Sequence, residues 1–137
     1  MTTSPPSDRA PSDVRSARFP SNDRLPAAAR DFVRGAVDAL GTSTPEDALL
    51  MTSEAASNAV EHADSSCIEV VVERHGPVVR ISISDDDPEQ PVMLPQDPQR
   101  VGGLGIRLID HLAVDWGVTE IAGDGKRVWF DVELPSS

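Results

Sequence analysis

Apolar residues recur at helical spacing in the first half of the chain and at strand spacing over much of the second half. Between Pro26 and Leu40 they repeat every three or four positions, and Gly41 follows as a stop. A second helix is predicted from Pro45 to Ala63, with Thr44 as its cap. Ahead of both helices, Val14 to Phe19 is typical of a short edge strand.

After the second helix the apolar period changes from 3.6 to 2. Residues Ile68 to Ile83 alternate around a His75-Gly76-Pro77 turn and predict a hairpin, and Trp116 to Leu134 predict another. A third helical pattern starts at Ile106. This order predicts an α/β (α+β) two-layer sandwich, in which three helices cover one face of a mixed, largely antiparallel sheet.

Two segments show no regular spacing of apolar residues. Residues 1–12 are rich in Pro, Ser and Asp and are predicted to be a disordered tail, which leaves 13–137 as one domain. Residues 86–102 contain four prolines and form a long loop, as lids and binding segments do, although disorder without function would look the same.

The second predicted helix carries a polar series at spacings of four: Glu54, Asn58 and His62. An ordinary solvated face would explain it, but Asn58 is a poor helix former in the middle of a helix. A carboxylate can take a proton from a hydroxyl, and an amide oxygen one turn away can hold a hard cation such as Mg²⁺. The helix alone leaves both interpretations open.

Two further stretches are candidates for ligand contacts. Asp85 continues the parity of Ile81 and Ile83 and would point to the core side, unless it only forms a turn with the residues after it. The sequence Gly102-Gly103-Leu104-Gly105 precedes the third helix. Its backbone N–H groups could approach an anion at the helix start, or the glycines could merely release the loop into the helix.

Composition narrows the class of protein. The chain has 137 residues, a net charge of −11 and one cysteine, Cys67, so an internal disulfide is excluded. The charge argues against direct nucleic-acid binding, because phosphate contacts need clustered Lys and Arg. The sequence shows neither a membrane-spanning run nor a signal peptide, which predicts a cytoplasmic protein that does not associate with a membrane.

Four segments occur together in an informative order along residues 14–135. They are Glu54-Ala55-Ala56-Ser57-Asn58-Ala59-Val60-Glu61-His62-Ala63, Ile83-Ser84-Asp85-Asp86-Asp87-Pro88, Gly102-Gly103-Leu104-Gly105-Ile106-Arg107-Leu108-Ile109 and Gly125-Lys126-Arg127-Val128-Trp129-Phe130. Together they resemble the Bergerat-fold (GHKL) ATPases, the histidine-kinase-like superfamily. Within it the resemblance is closest to the anti-sigma-factor serine/threonine kinases.

The resemblance implies a role for each matching residue. Glu54 would be the catalytic carboxylate, Asn58 the amide that holds Mg²⁺ against the phosphates of ATP, and Asp85 the acceptor for the adenine amino group. The backbone of Gly102, Gly103, Leu104 and Gly105 would cradle phosphate at the end of the lid. His62 occupies a position that is often basic in the family and would contact phosphate.

The same resemblance implies partners. The acceptor would be a serine of an anti-anti-sigma protein, a sheet-and-helix antagonist, and the kinase would also sequester a sigma factor; homodimers are typical of the family. Two positions depart from its pattern: Asp87 replaces a frequent glycine, and Arg127 replaces a threonine whose hydroxyl could satisfy the adenine edge. Two alternatives to the kinase remain. One is an interaction module that regulates a partner without chemistry, and the other is the ATP-binding lobe of a histidine kinase.

Overall fold

The fold is a five-stranded antiparallel sheet with helices packed on one face. The computed structural model describes residues 13–62, 67–85, 101–121 and 125–135. The predicted tail, most of the predicted lid with Asp87, and part of the last turn lie outside these ranges. Within them, the strands lie in the order β1-β2-β3-β5-β4, and every pairing is antiparallel. The two-layer architecture predicted from the hydrophobic pattern is confirmed.

The strands are β1 (Asp13–Pro20), β2 (Cys67–His75), β3 (Val78–Asp85), β4 (Asp115–Ile121) and β5 (Gly125–Glu133). The two predicted hairpins are β2–β3 and β4–β5, and in the first the turn is made by Gly76, with φ of 64°, and Pro77. Alternate strand residues form the sheet side of the core. They are Ile68, Val70, Val72, Val79, Ile81, Ile83, Val128, Phe130 and Val132.

The helices are α1 (Leu25–Asp38), α2 (Glu46–His62) and α3 (Val101–Leu112). Helix α2 contacts α1, α3, β3 and β5, so it is enclosed on more sides than an ordinary surface helix. Helix α1 also packs on β1, where Phe19 and Phe32 meet edge to face with 6.1 Å between ring centroids. The tertiary neighbours of α2 therefore bury positions that its own sequence pattern leaves polar.

Two helix starts differ from the sequence prediction. The carbonyl of Pro45 accepts from the N–H groups of Ala48 and Leu49, which makes Pro45 the residue before the first full turn of α2. The hydroxyl of Thr44 is buried and has no hydrogen-bond partner in the described part of the chain, so the prediction that Thr44 caps α2 was wrong. Helix α3 begins at Val101, five residues before the predicted Ile106.

Candidate functional site

Helix α2 brings Glu54, Asn58 and His62 into one line, because residues four apart are separated by about 6 Å along a helix axis. Glu54 is half-buried, and Asn58 is only 3% exposed. His62 is the last residue of the helix. A solvated polar face cannot explain Asn58, because the surrounding elements remove it from water. The structure therefore excludes the simple surface interpretation for this residue.

The buried Asn58 side chain leaves an acceptor unused. Its Oδ1 atom makes no hydrogen bond to any described residue. A buried amide oxygen without a donor costs about 1–3 kcal/mol, so proteins rarely keep one unless something else binds there. An amide oxygen is a ligand that Mg²⁺ accepts, and Mg²⁺ usually takes only one or two protein ligands beside phosphate and water. Asn58 therefore fits the role of a metal ligand in a nucleotide complex.

No ready-made metal cage accompanies Asn58. In the ranges that the structure describes, no group of three or more His, Cys, Asp or Glu side chains could hold an ion. A cation held by Asn58 would need its remaining ligands from elsewhere, and phosphate oxygens are the usual source for Mg²⁺.

Two hydrogen bonds fix the segment of α2 that precedes Glu54. Arg30 of α1 donates from Nη1 to Ser53 Oγ over 2.7 Å, which ties the two helices together beside Glu54. The adjacent residue, Thr52, is buried, and its hydroxyl donates to the carbonyl oxygen of Ala48, one turn earlier in α2, over 2.7 Å. The first contact holds this part of α2 in place relative to α1, and the second satisfies a buried hydroxyl within α2 itself.

Asp85 and the glycines are located by backbone position, at the end of β3 and at the start of α3. Asp85 is the last residue of β3, where it pairs with Lys126, and it is two positions beyond the buried Ile83. Gly102 and Gly103 lie within the first turn of α3, not in a loop ahead of it. N–H groups in the first turn of a helix have no partner within the helix, so they remain available to an anion in this arrangement. Helix α3 contacts α2, the helix that carries Glu54 and Asn58.

Arg127 lies on the opposite side of the sheet from the helices. Its Nε donates to Ser84 Oγ over 3.1 Å, whereas its neighbour Val128 is buried in the core. Because side chains alternate along a strand, the threonine that the family carries at this position would also point away from the helix side. The expectation that Arg127 removes an adenine contact is therefore not supported by its position.

The sequence prediction missed a second polar cluster, on the sheet surface opposite the helices, hereafter the open face. Arg80 of β3 donates from Nε and Nη2 to the two carboxylate oxygens of Asp131 on β5, at 2.7 and 3.0 Å. The Arg80 guanidinium also lies 3.9 Å from the centroid of the Trp129 ring. Charged residues alternating with apolar ones on both strands were the available signal, but only the register pairs them.

The hydrogen bond to Asp131 raises the pKa of Arg80 above its ordinary value, although burial acts in the opposite direction. The negative charges of Asp131, Glu73 and Asp115 raise the same pKa further. Three acids therefore surround one base at this end of the open face.

Residues 19–132 match the family described as histidine kinase-like ATPase domain. The chain belongs to this family, and the resemblance to GHKL-type ATPases is confirmed at that level. A comparison with curated proteins found no match. In the described residues, no helix is long and apolar enough to cross a membrane.

Proposed function

We propose that this chain is an ATP-dependent protein serine kinase that also acts as an anti-sigma factor. The observation that carries the nucleotide part is the buried Asn58 Oδ1, which has no partner among the described residues and lies one helical turn from Glu54. Membership of the histidine-kinase-like ATPase family supports ATP, with Mg²⁺, as the ligand. Family membership alone does not establish the kinase reaction or the partners, which are part of the proposal.

Each residue of the proposed site has a separate task. Asn58 would hold Mg²⁺ through Oδ1, and Asp85 would accept the adenine amino group. The first-turn N–H groups of α3, those of Gly102 and Gly103 among them, would bind phosphate. When bound, Mg-ATP supplies the phosphoryl group and the charge neutralisation that its transfer needs.

Glu54 would act on the acceptor. A serine hydroxyl is a weak nucleophile, and a carboxylate within hydrogen-bond reach can accept its proton as the oxygen attacks. Glu54 is half-buried on the same line of α2 as Asn58, so proton acceptance and metal binding are held on one rigid element. His62, at the end of that helix, would contact phosphate.

The proposed partners rest on the resemblance of the four segments to anti-sigma-factor kinases. The acceptor serine would belong to an anti-anti-sigma protein, and capture of a sigma factor would alternate with its phosphorylation. The competing proposal is a module that sequesters its partner without chemistry. Arg127 no longer favours that module, because it lies on the open face, and Asp87 lies outside the described residues.

The test is calorimetric titration of the protein with ATP and with ADP, each with and without Mg²⁺. We expect magnesium-dependent binding that Asn58→Ala abolishes. Asn22→Ala is the matched control, because it makes the same chemical change in the turn before α1, where the Asn22 Oδ1 accepts from the N–H of Arg24. Its affinity should equal that of the wild type. Absence of binding at millimolar nucleotide would refute the ATP site and favour sequestration without chemistry.

The kinase step is tested separately from binding. Glu54→Ala should bind Mg-ATP with unchanged affinity and fail to transfer phosphate to the serine of a candidate antagonist protein. Transfer at the wild-type rate would show that Glu54 is not the base. Retained nucleotide binding together with no transfer by the wild-type protein to any serine-bearing antagonist would contradict the kinase and leave a nucleotide-binding regulator.

A further inference from the structure

The open face contains a shallow recess of about 200 Å³. Val71, Ser82 and Trp129 line its centre, Glu73 and Arg80 one end, and Arg127 the other. Pockets for cofactors and drug-sized ligands usually measure about 300–1,000 Å³. The recess is therefore too small for a nucleotide and suits one side chain of a larger partner.

The centre of this recess is held rigid by its neighbours. Trp129 faces Gly117 across β4 and β5, and a Cβ at Gly117 would lie 2.8 Å from the Cζ2 atom of the ring. The ring also contacts the Arg80 guanidinium, which Asp131 holds through two hydrogen bonds. A rigid aromatic side chain beside arginine is the kind of surface that carries most of the energy of protein interfaces, since little entropy is lost on binding.

The charges on the open face differ between its two ends. At one end the register aligns Glu73, Arg80, Asp131 and Asp115, so that three acids stand against one base. At the other end, Arg127 lies between the uncharged Ser84 and Thr119, and the same row continues through Glu69 of β2 to Arg18 of β1, so two bases stand against one acid. Among the described residues, the one hydrogen bond of Arg127 is that to Ser84, which leaves most of its five donors for a ligand.

We infer that the open face docks an extended protein segment with a basic, an apolar and an acidic side chain at every second position. The acidic side chain binds Arg127, the apolar one covers Val71 and Trp129, and the basic one lies at the end that contains Glu73. Arg80 and Ser84 mark the two ends on β3, and four strand residues span about 13 Å. The same distance separates residues i and i+4 of an extended peptide, so the spacing of the charges matches.

This surface is independent of the proposed nucleotide site, because the sheet separates the two. A partner on the open face would not contact Glu54 or Asn58, which lie on the helix side of the sheet. The inference consequently does not depend on ATP binding or on kinase activity. It assigns a second interaction surface to the chain, for a partner whose charges complement those of the sheet.

The probe is the peptide acetyl-Lys-Thr-Leu-Thr-Glu-amide, titrated to millimolar concentration into the ¹⁵N-labelled full chain and followed by NMR. We expect shifts of the Trp129 indole N–H and of open-face amides on β2, β3, β4 and β5. Arg127→Gln, which can still bond to Ser84, should weaken binding about tenfold, since a charge-assisted hydrogen bond is lost. Arg34→Gln makes the same charge change on the exposed surface of α1 and should leave the affinity unchanged.

Several results would overturn the inference. These are absence of shifts at millimolar peptide, shifts on the helices instead, and equal weakening by Arg127→Gln and Arg34→Gln. A peptide with Lys in place of the Glu should bind more weakly, and equal affinity would contradict the role of Arg127. Sedimentation of the protein alone provides a further check, because a dimer that Arg127→Gln dissociates would assign the open face to a second copy. Asn58→Ala should leave the affinity for the peptide unchanged. Failure of the nucleotide site is therefore distinguishable from failure of the open face to bind the peptide.

Discussion

Arg80 and Asp131 form a two-pronged ion pair across the centre of the sheet, with N–O distances of 2.7 and 3.0 Å. Their side chains are 14% and 6% exposed, so most of the pair is shielded from water. Removing one member of such a pair leaves the other as an uncompensated buried charge. The pair links β3 to β5 in the observed register, and its loss is expected to be costly.

Asp131→Ala should lower the free energy of unfolding by about 3 kcal/mol, because the Arg80 charge would lose its partner in a shielded position. The measurement is urea denaturation followed by circular dichroism. Asp31→Ala removes a partner from Arg34 in an exposed pair of α1, with side chains 51% and 79% exposed, and should cost under about 1 kcal/mol. An equal loss of unfolding free energy in the two variants would show that the Arg80–Asp131 pair stabilises the protein no more than an exposed ion pair does.

The contribution of the Arg80 charge to the free energy of unfolding should not change with pH around neutrality. The pKa of Arg80 is raised in the folded state, chiefly by its hydrogen bond to Asp131. A raised pKa adds stability that is complete below the unfolded value and is lost only as the pH rises through the folded value. Both values for arginine lie far into the alkaline range, so the difference in unfolding free energy between Arg80→Met and the wild type should not shrink between neutral and mildly alkaline pH. A decline there would contradict this account.

Asn58→Ala should separate function from stability. If the unpaired Oδ1 serves a ligand, its removal costs the free protein nothing and relieves an unsatisfied buried acceptor, and alanine is the better helix former. We expect a free energy of unfolding that is unchanged or about 1 kcal/mol higher, together with loss of the rise in melting temperature that Mg-ATP gives the wild type. A variant destabilised by several kcal/mol would instead mark Asn58 as a structural residue.

Gly117→Ala should disturb Trp129. The added Cβ would lie 2.8 Å from the ring, so the ring or the strand must move, at an expected cost of about 1–3 kcal/mol. Gly35→Ala is the control, because nothing lies within 4 Å of its Cβ and alanine favours the helix interior by about 1 kcal/mol. The Trp129→Leu background should reduce the penalty of Gly117→Ala, and a penalty that persists there would locate the strain elsewhere.

Arg127→Thr restores the residue common in the family and tests the placement of this side chain. Because Arg127 bonds to Ser84 on the open face, the substitution should change ATP affinity by less than about twofold. A clear gain of ATP affinity in Arg127→Thr would show that position 127 reaches the nucleotide after all.

Asp85→Asn should weaken ATP binding strongly if Asp85 contacts adenine, because Asp85 has the same strand parity as the buried Ile81 and Ile83.

Local patterns predicted most of the fold. The period of 3.6 in α1 and of 2 in β2 and β3 reflects which residues must be buried, and burial requires no knowledge of distant partners. The start of α3 was predicted five residues late, because Gly102, Gly103 and Gly105 are poor helix formers and only tertiary context places them in a helix. Thr44 has the chemistry of a cap but does not act as one, since capping depends on backbone geometry that the residue type does not fix.

The sequence by itself determined the two-layer architecture and, through the order of four short segments, the family of the chain. Spacing also placed Glu54, Asn58 and His62 on one helix. Only the tertiary structure decided that Asn58 is buried, with an oxygen that no other described residue pairs, because α1, α3 and the sheet enclose α2 from several sides. It likewise decided that Arg127 and Trp129 share the open face with Arg80 and Asp131, because strand register brings together residues about fifty positions apart in the chain.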